Sequence, residues 1–348
     1  MGRSLVVALL LAVAAGAHAQ WWNPSDPTPP KFRGTQFETK PVYDRRLFEA
    51  ASLQVHAALE EGNFAKVDRM YGEFLASRQR TSDGSWLVEA VQQAIDNWFV
   101  AHDDSRIDRL FAEWKAKAPD SKLMPVAEAD RWQRTAWKAR AGRGAGSMTP
   151  EIRELFRERM LKASRALEAS AEVGRESPIW YWVALIVAGS SGRPEAQFDA
   201  LFEEAVARFP TYQPLYLTRL NYYLPQWGGD FDKVDAFIRR SVQRTEAVDG
   251  KSFYAWLYLD VARKSGGDEE FFRVTRVSWP RMRESFDDMT RRYPDVWNKI
   301  LFATFACLAR DRETTARLLT EMPAEVHLGA YTQGISTDAC RRFALDRS

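Results

Sequence analysis

The chain has 348 residues, 45% hydrophobic and 28% charged, with 49 Lys and Arg against 47 Asp and Glu for a formal net charge of +2. This balance excludes disorder over most of the length, and it lacks the cationic excess that a nucleic-acid binder uses to neutralise phosphates. The unusual feature is aromatic: 13 Trp, 11 Tyr and 20 Phe, rings that must fill either a core or a binding surface.

In chain order the first expected element is a leader. Met1 to Ala19 carries Arg3, an apolar run from Leu5 to Ala15 and Ala17-His18-Ala19 before Gln20. These are the basic start, apolar middle and small-residue cleavage site of a secretory signal peptide. The apolar run is too short for the ~20 residues that span a bilayer, and no Cys follows the cleavage site to take a lipid. The expected mature protein is therefore periplasmic or secreted, without stable membrane insertion. Residues 20–44, with Pro24, Pro27, Pro29, Pro30 and Pro41, are expected to form an extended lead-in.

From Arg45 onward the apolar period is helical. Leu47, Ala50, Ala51, Val55, Ala58 and Leu59 recur at spacings of three and four, Gly62-Asn63 breaks the run, and Phe64, Val67, Met70, Tyr71, Phe74 and Leu75 resume it. Sustained alternation with period two is missing, so the sequence predicts an all-α protein. A second-helix pattern recurs after turn signals: Phe64 to Asp68, Ser105 to Phe111, Phe198 to Phe202 and Phe231 to Phe237. Residues 179–210 fit a tetratricopeptide unit best, with Trp182 and Leu185 on the first helix and Phe202, Ala205 and Pro210 on the second. The expected architecture is antiparallel helix pairs stacked as a degenerate tetratricopeptide-like solenoid, each pair burying its apolar face on the next. N-terminal helical repeats are expected over 45–138, a Gly-rich loop over 139–148 dividing the chain, C-terminal helical repeats over 149–322 and an irregular tail over 323–348. Thr149 or Ser147 is the expected cap of the helix starting near Pro150.

Leu224-Pro225-Gln226-Trp227-Gly228-Gly229-Asp230 lies between Asn221-Tyr222-Tyr223 and a helix expected to begin at Phe231. With Pro210 to Tyr216, Ala136 to Gly142, Trp279 to Met282, Tyr293 to Asn298 and Phe305 to Asp311, this block resembles the bacterial domain-of-unknown-function family numbered 4034. The resemblance implies a tetratricopeptide-related helical array over residues 45–320 and brings no catalytic residues. Read from its own chemistry, Pro225 stops a helix, Gly228-Gly229 permits positive backbone angles, Asp230 caps the next helix, and Trp227 is a wedge over the end of the pair.

Chemistry-bearing motifs are scarce. Phosphate-loop, His-Glu-x-x-His and Cys-x-x-Cys patterns are not found, and no cofactor is expected. His56, His102 and His327 are far apart in sequence and lack ligand spacing. The acid pairs Asp103-Asp104, Glu203-Glu204, Glu269-Glu270 and Asp287-Asp288 diverge on helices and read as solvated faces. Gly189 to Gly192 reads as a turn between helices. Cys307 and Cys340 can form a disulfide in an oxidising compartment, or Cys307 can be a small buried hydrophobe in its apolar run.

The functional lead is aromatic. Trp180, Tyr181 and Trp182 are consecutive and splay around a helix, and Tyr216, Tyr223 and Trp227 follow on the next unit. These six residues are the candidate ligand-binding set, more rings than one packed face can hide. The alternative is that they fill space between helices. The expected function is that of an exported, non-enzymatic repeat protein that binds another envelope protein or a peptide. The competing expectation is a cell-wall or carbohydrate-active helical enzyme, which needs two acids facing each other across a cleft.

Overall fold

The computed structural model describes residues 46–140, 147–265, 270–324, 326–328 and 335–345. The leader at 1–19, the lead-in at 20–44 and the centre of the Gly-rich segment lie outside the described residues. Among those described the protein is all-α: seventeen helices, no strand, and one isolated antiparallel bridge between Arg80 and Trp86. None of these helices is long and apolar enough to cross a membrane.

The chain divides into two compact units. The first, residues 46–80 and 85–218, holds α1 (Arg46–Glu60), α2 (Phe64–Ser77), α3 (Glu89–Ala101), α4 (Asp104–Lys117), α5 (Met124–Arg140) and α6 (Pro150–Ala169). After a short α7 (Ala171–Gly174) come α8 (Pro178–Ser190), α9 (Glu195–Arg208) and α10 (Gln213–Asn221), and the division falls within α10. The second, residues 81–84 and 219–345, holds α11 (Phe231–Asp249), α12 (Ser252–Ser265), the short α13 (Phe271–Val274), α14 (Trp279–Arg292), α15 (Val296–Leu308), α16 (Arg312–Glu321) and α17 (Thr337–Leu345). The division therefore does not fall at the Gly-rich segment: that segment joins α5 to α6, which pack on each other inside the first unit. In both units the packing is mostly between near neighbours in sequence, α1 on α2 and α3, α8 on α9, α11 on α12, and α15 on α16.

Local chemistry explains the helix starts. Asn63, Asp103, Thr149 and Asp230 each accept a hydrogen bond from an amide of the first turn, at Lys66 (3.2 Å), Arg106 (2.8 Å), Ile152 (3.3 Å) and Lys233 (2.8 Å). These amides have no partner within their own helix. Pro150 and Pro178 open α6 and α8, where a missing N–H costs nothing. The recurring second-helix pattern supplies the inner faces of α2, α4, α9 and α11: Phe64 and Val67, Ile107 and Leu110, Phe198 and Phe202, and Val234 and Phe237 are all buried.

Between α10 and α11 the chain makes one 3-10 turn at Pro225–Trp227 and leaves it through Gly228 at φ 86°. Gly229 serves a different end from the positive angle the sequence suggests. A Cβ there would lie 2.0 Å from the Tyr223 carbonyl oxygen, so the close passage of two backbone segments requires glycine. In the second unit Gly84, at φ +93°, lies against Trp256 and Tyr293; a Cβ would meet them at 2.8 and 3.0 Å. Beside it the Ser82 hydroxyl donates to Asp295 Oδ2 at 2.6 Å, and Asn298 Nδ2 donates to the Asp83 carbonyl at 3.2 Å.

The tail beyond Pro323 is not wholly irregular. Residues 337–345 form α17, which packs on α15 and α16, and the Cys307–Cys340 disulfide joins it to α15 across a sequence separation of 33. Of the two readings of these cysteines, the structure has the bridge.

Candidate functional site

The aromatic set does not form a surface. Trp180 is 4% exposed and Tyr181 fully buried on α8, and Tyr216 on α10 is buried as well. The Trp180 indole nitrogen donates to Leu167 O and Ser170 Oγ, both at 3.3 Å, and its ring meets Tyr181 edge to face at 5.1 Å. The Tyr181 hydroxyl donates to Glu204 Oε1 at 2.6 Å, and that of Tyr216 donates to the Pro210 carbonyl at 2.6 Å. Trp182 is half-buried with the Arg134 guanidinium 5.9 Å above its ring. Tyr223 is half-buried under Arg219 at 4.0 Å and beside Phe237. Only Trp227 is substantially open, 37% exposed and tilted on Tyr222. The expectation that rings splaying around α8 must reach solvent is corrected. This helix packs on α5, α6 and α9, so most of its circumference is interior.

Sequence spacing also missed two polar constellations in the first unit. On α3 and α5, Gln92 Nε2 donates to Asp96 Oδ1 (2.8 Å) and Asp130 Oδ2 (2.7 Å), while Arg134 pairs with both carboxylates at 2.7 Å. Gln133 donates to the second oxygen of the fully buried Asp130. Burial pushes the Asp96 carboxyl up to about 7; Arg134 opposes that shift and the neighbouring Asp130 adds to it. The two acids are thus bound to the same Gln and Arg, an arrangement that braces α3 against α5. The second constellation brings together histidines that lie far apart in sequence. His56 and His102 approach Glu60 Oε1 at 3.9 and 3.1 Å. His102 Nδ1 lies 2.9 Å from the Trp98 carbonyl oxygen. Among the described residues no group of three His, Cys, Asp or Glu could hold a metal ion.

A cleft of about 760 Å³ lies in the first unit. One wall is α2, presenting Asp68, Arg69, Gly72, Leu75 and Ala76 along successive turns. The other is the turn from α4 to α5, residues 117–122, with Glu176 at the rim. The turn holds its shape through Ser121, whose hydroxyl donates to Asp68 Oδ1 at 2.6 Å and accepts from the Met124 amide at 3.0 Å. Two of the rim cations are already paired: Lys122 with Glu176 at 3.0 Å and Lys117 with Glu113 at 3.4 Å. Gly72 is exposed, and a Cβ there would meet nothing within 4 Å, so the α2 backbone is open to a ligand. Leu75, Ala76, Ala118 and Pro119 supply apolar wall. Burial raises the Asp68 carboxyl above the ordinary carboxylate range, against the Ser121 hydrogen bond. The one sequence signal pointing here is Gly72 itself, a glycine inside an otherwise regular amphipathic helix, where it costs ~1 kcal/mol relative to Ala.

No family model, no curated protein and no solved structure matches the chain.

Proposed function

We propose that the chain is an exported helical-repeat protein that binds an extended segment of another protein at the bacterial envelope. The cleft between α2 and the α4–α5 turn carries this reading. It is open, has apolar walls with charges of both signs at its edge, and exposes helix backbone at Gly72. Such a surface suits a peptide, whose backbone is polar and whose side chains alternate in character. Packing between sequence neighbours supports a tetratricopeptide-like solenoid. The Leu224 to Asp230 block supports kinship with family 4034, and Met1 to Ala19 supports export to the periplasm or beyond.

The test is a photo-crosslinking amino acid placed at Ala76 in the cleft and, as control, at the exposed Leu161 on α6. Irradiation in envelope extract is expected to give a discrete adduct from position 76 alone, competed by excess unlabelled protein. Identical patterns from both positions, or an adduct that excess protein does not compete, would overturn the reading.

A further inference from the structure

We infer that the cleft accepts a basic side chain, lysine or arginine, of the bound segment, with Asp68 as its counter-ion. This rests on the peptide-binding reading above and names what the peptide must carry. Six of the residues lining the cleft are charged, and their pairing is uneven. Lys117, Lys122 and Glu176 each have an opposite charge within 3.4 Å. Asp68 is different: among the described residues it has no cationic partner, and it is steadied by hydrogen bonding, chiefly the 2.6 Å bond from Ser121. A carboxylate withdrawn from water without a counter-ion is costly, and the cost is recovered when a cation reaches it. Burial raises its pKa, against the Ser121 hydrogen bond, and no charge among the described residues offsets that burial.

The geometry also fits the rest of a basic side chain. Lysine and arginine bring an aliphatic stem behind the charge, and the cleft offers Leu75, Ala76 and Pro119 on its walls. From Asp68 to Ala76 α2 rises about 12 Å at 1.5 Å per residue, enough for three or four residues of extended chain at about 3.3 Å each. Gly72 lies midway, where the peptide backbone can lie on the helix without meeting a side chain. Arg69, exposed on the same helix and without an ion pair among the described residues, is placed to meet an acidic neighbour of the basic residue.

The experiment selects random hexapeptides displayed on phage against the full chain, with the Gly72→Leu chain as control. Gly72 stands in open space within a helix, so Leu fills the cleft and favours the helix. The expected result is an enriched family with Lys or Arg at one fixed position, not retained by Gly72→Leu. In titrations of the best member, replacing its basic residue by citrulline or norleucine, or Asp68 by Asn, is expected to weaken binding tenfold or more. The loss should shrink in high salt, with the thermal midpoint of Asp68→Asn unchanged or raised. Enriched peptides without a basic position, or equal binding by Asp68→Asn, would overturn the counter-ion inference and leave peptide binding standing. No enrichment over Gly72→Leu would overturn both.

Discussion

Trp180 offers the sharpest measurement, because a ring built into a core and a ring that grips a ligand respond oppositely to removal. Trp180→Ala would empty a site that is 4% exposed, take away the edge-to-face contact with Tyr181 and leave Leu167 O and Ser170 Oγ without the indole donor. Large-to-small changes of a buried Trp cost about 3–5 kcal/mol. The upper half of that range is expected here, because the ring is closely packed: a Cβ on Gly174 would lie 2.2 Å from Trp180 Cδ1, so the ring occupies the space that a side chain there would need. Trp227→Ala removes a ring that is 37% exposed and tilted on Tyr222, and should cost under about 1 kcal/mol. Urea unfolding followed by far-UV circular dichroism reads both. Near-equal costs for the two variants, or a loss below about 1 kcal/mol for Trp180→Ala, would refute the assignment of Trp180 to the core.

Cys340→Ser opens the 33-residue loop closed by the disulfide and is expected to destabilise the second unit by about 3–4 kcal/mol in the chain-entropy account. Limited proteolysis should then cut between α16 and α17; resistance equal to that of the parent protein would contradict this. A carboxyl whose folded pKa is raised keeps its proton after the unfolded chain has lost it. Asp96 therefore makes stability fall as pH rises from about 4 to about 7, by at most about 4 kcal/mol. Asp96→Asn should flatten that slope, and an unaltered slope in denaturation curves taken across the range would rule Asp96 out as its source.

The fold was legible where local chemistry decides it. Three- and four-residue spacing predicts α1 and α2, and Thr149-Pro150 and Asp230 are caps that need no tertiary partner to be recognised. Burial around a whole helix is another matter. Trp180-Tyr181-Trp182 looks the same in sequence whether α8 lies at a surface or among α5, α6 and α9, because the neighbours that cover it come from elsewhere in the chain. The same limit hid the approach of His102, at the end of α3, to the Glu60 carboxylate of α1, which depends on how those helices pack. In the cleft, Asp68 reads as one more charged residue on an amphipathic helix until the turn at Ser121 folds over it.

The near-complete burial of α8 bears on how the protein is made. Whether the chain leaves a ribosome or, on the proposed export route, a translocation channel, residues 178–190 emerge as a strongly apolar segment ahead of α9, one of the three helices that cover it. Until about Arg208 has emerged, Ile179, Val183, Leu185 and Val187 have an unfinished socket and are exposed to collapse or to a chaperone. Any truncated version intended to fold alone should therefore extend beyond α9, and one that stops at Gly192 is expected to aggregate.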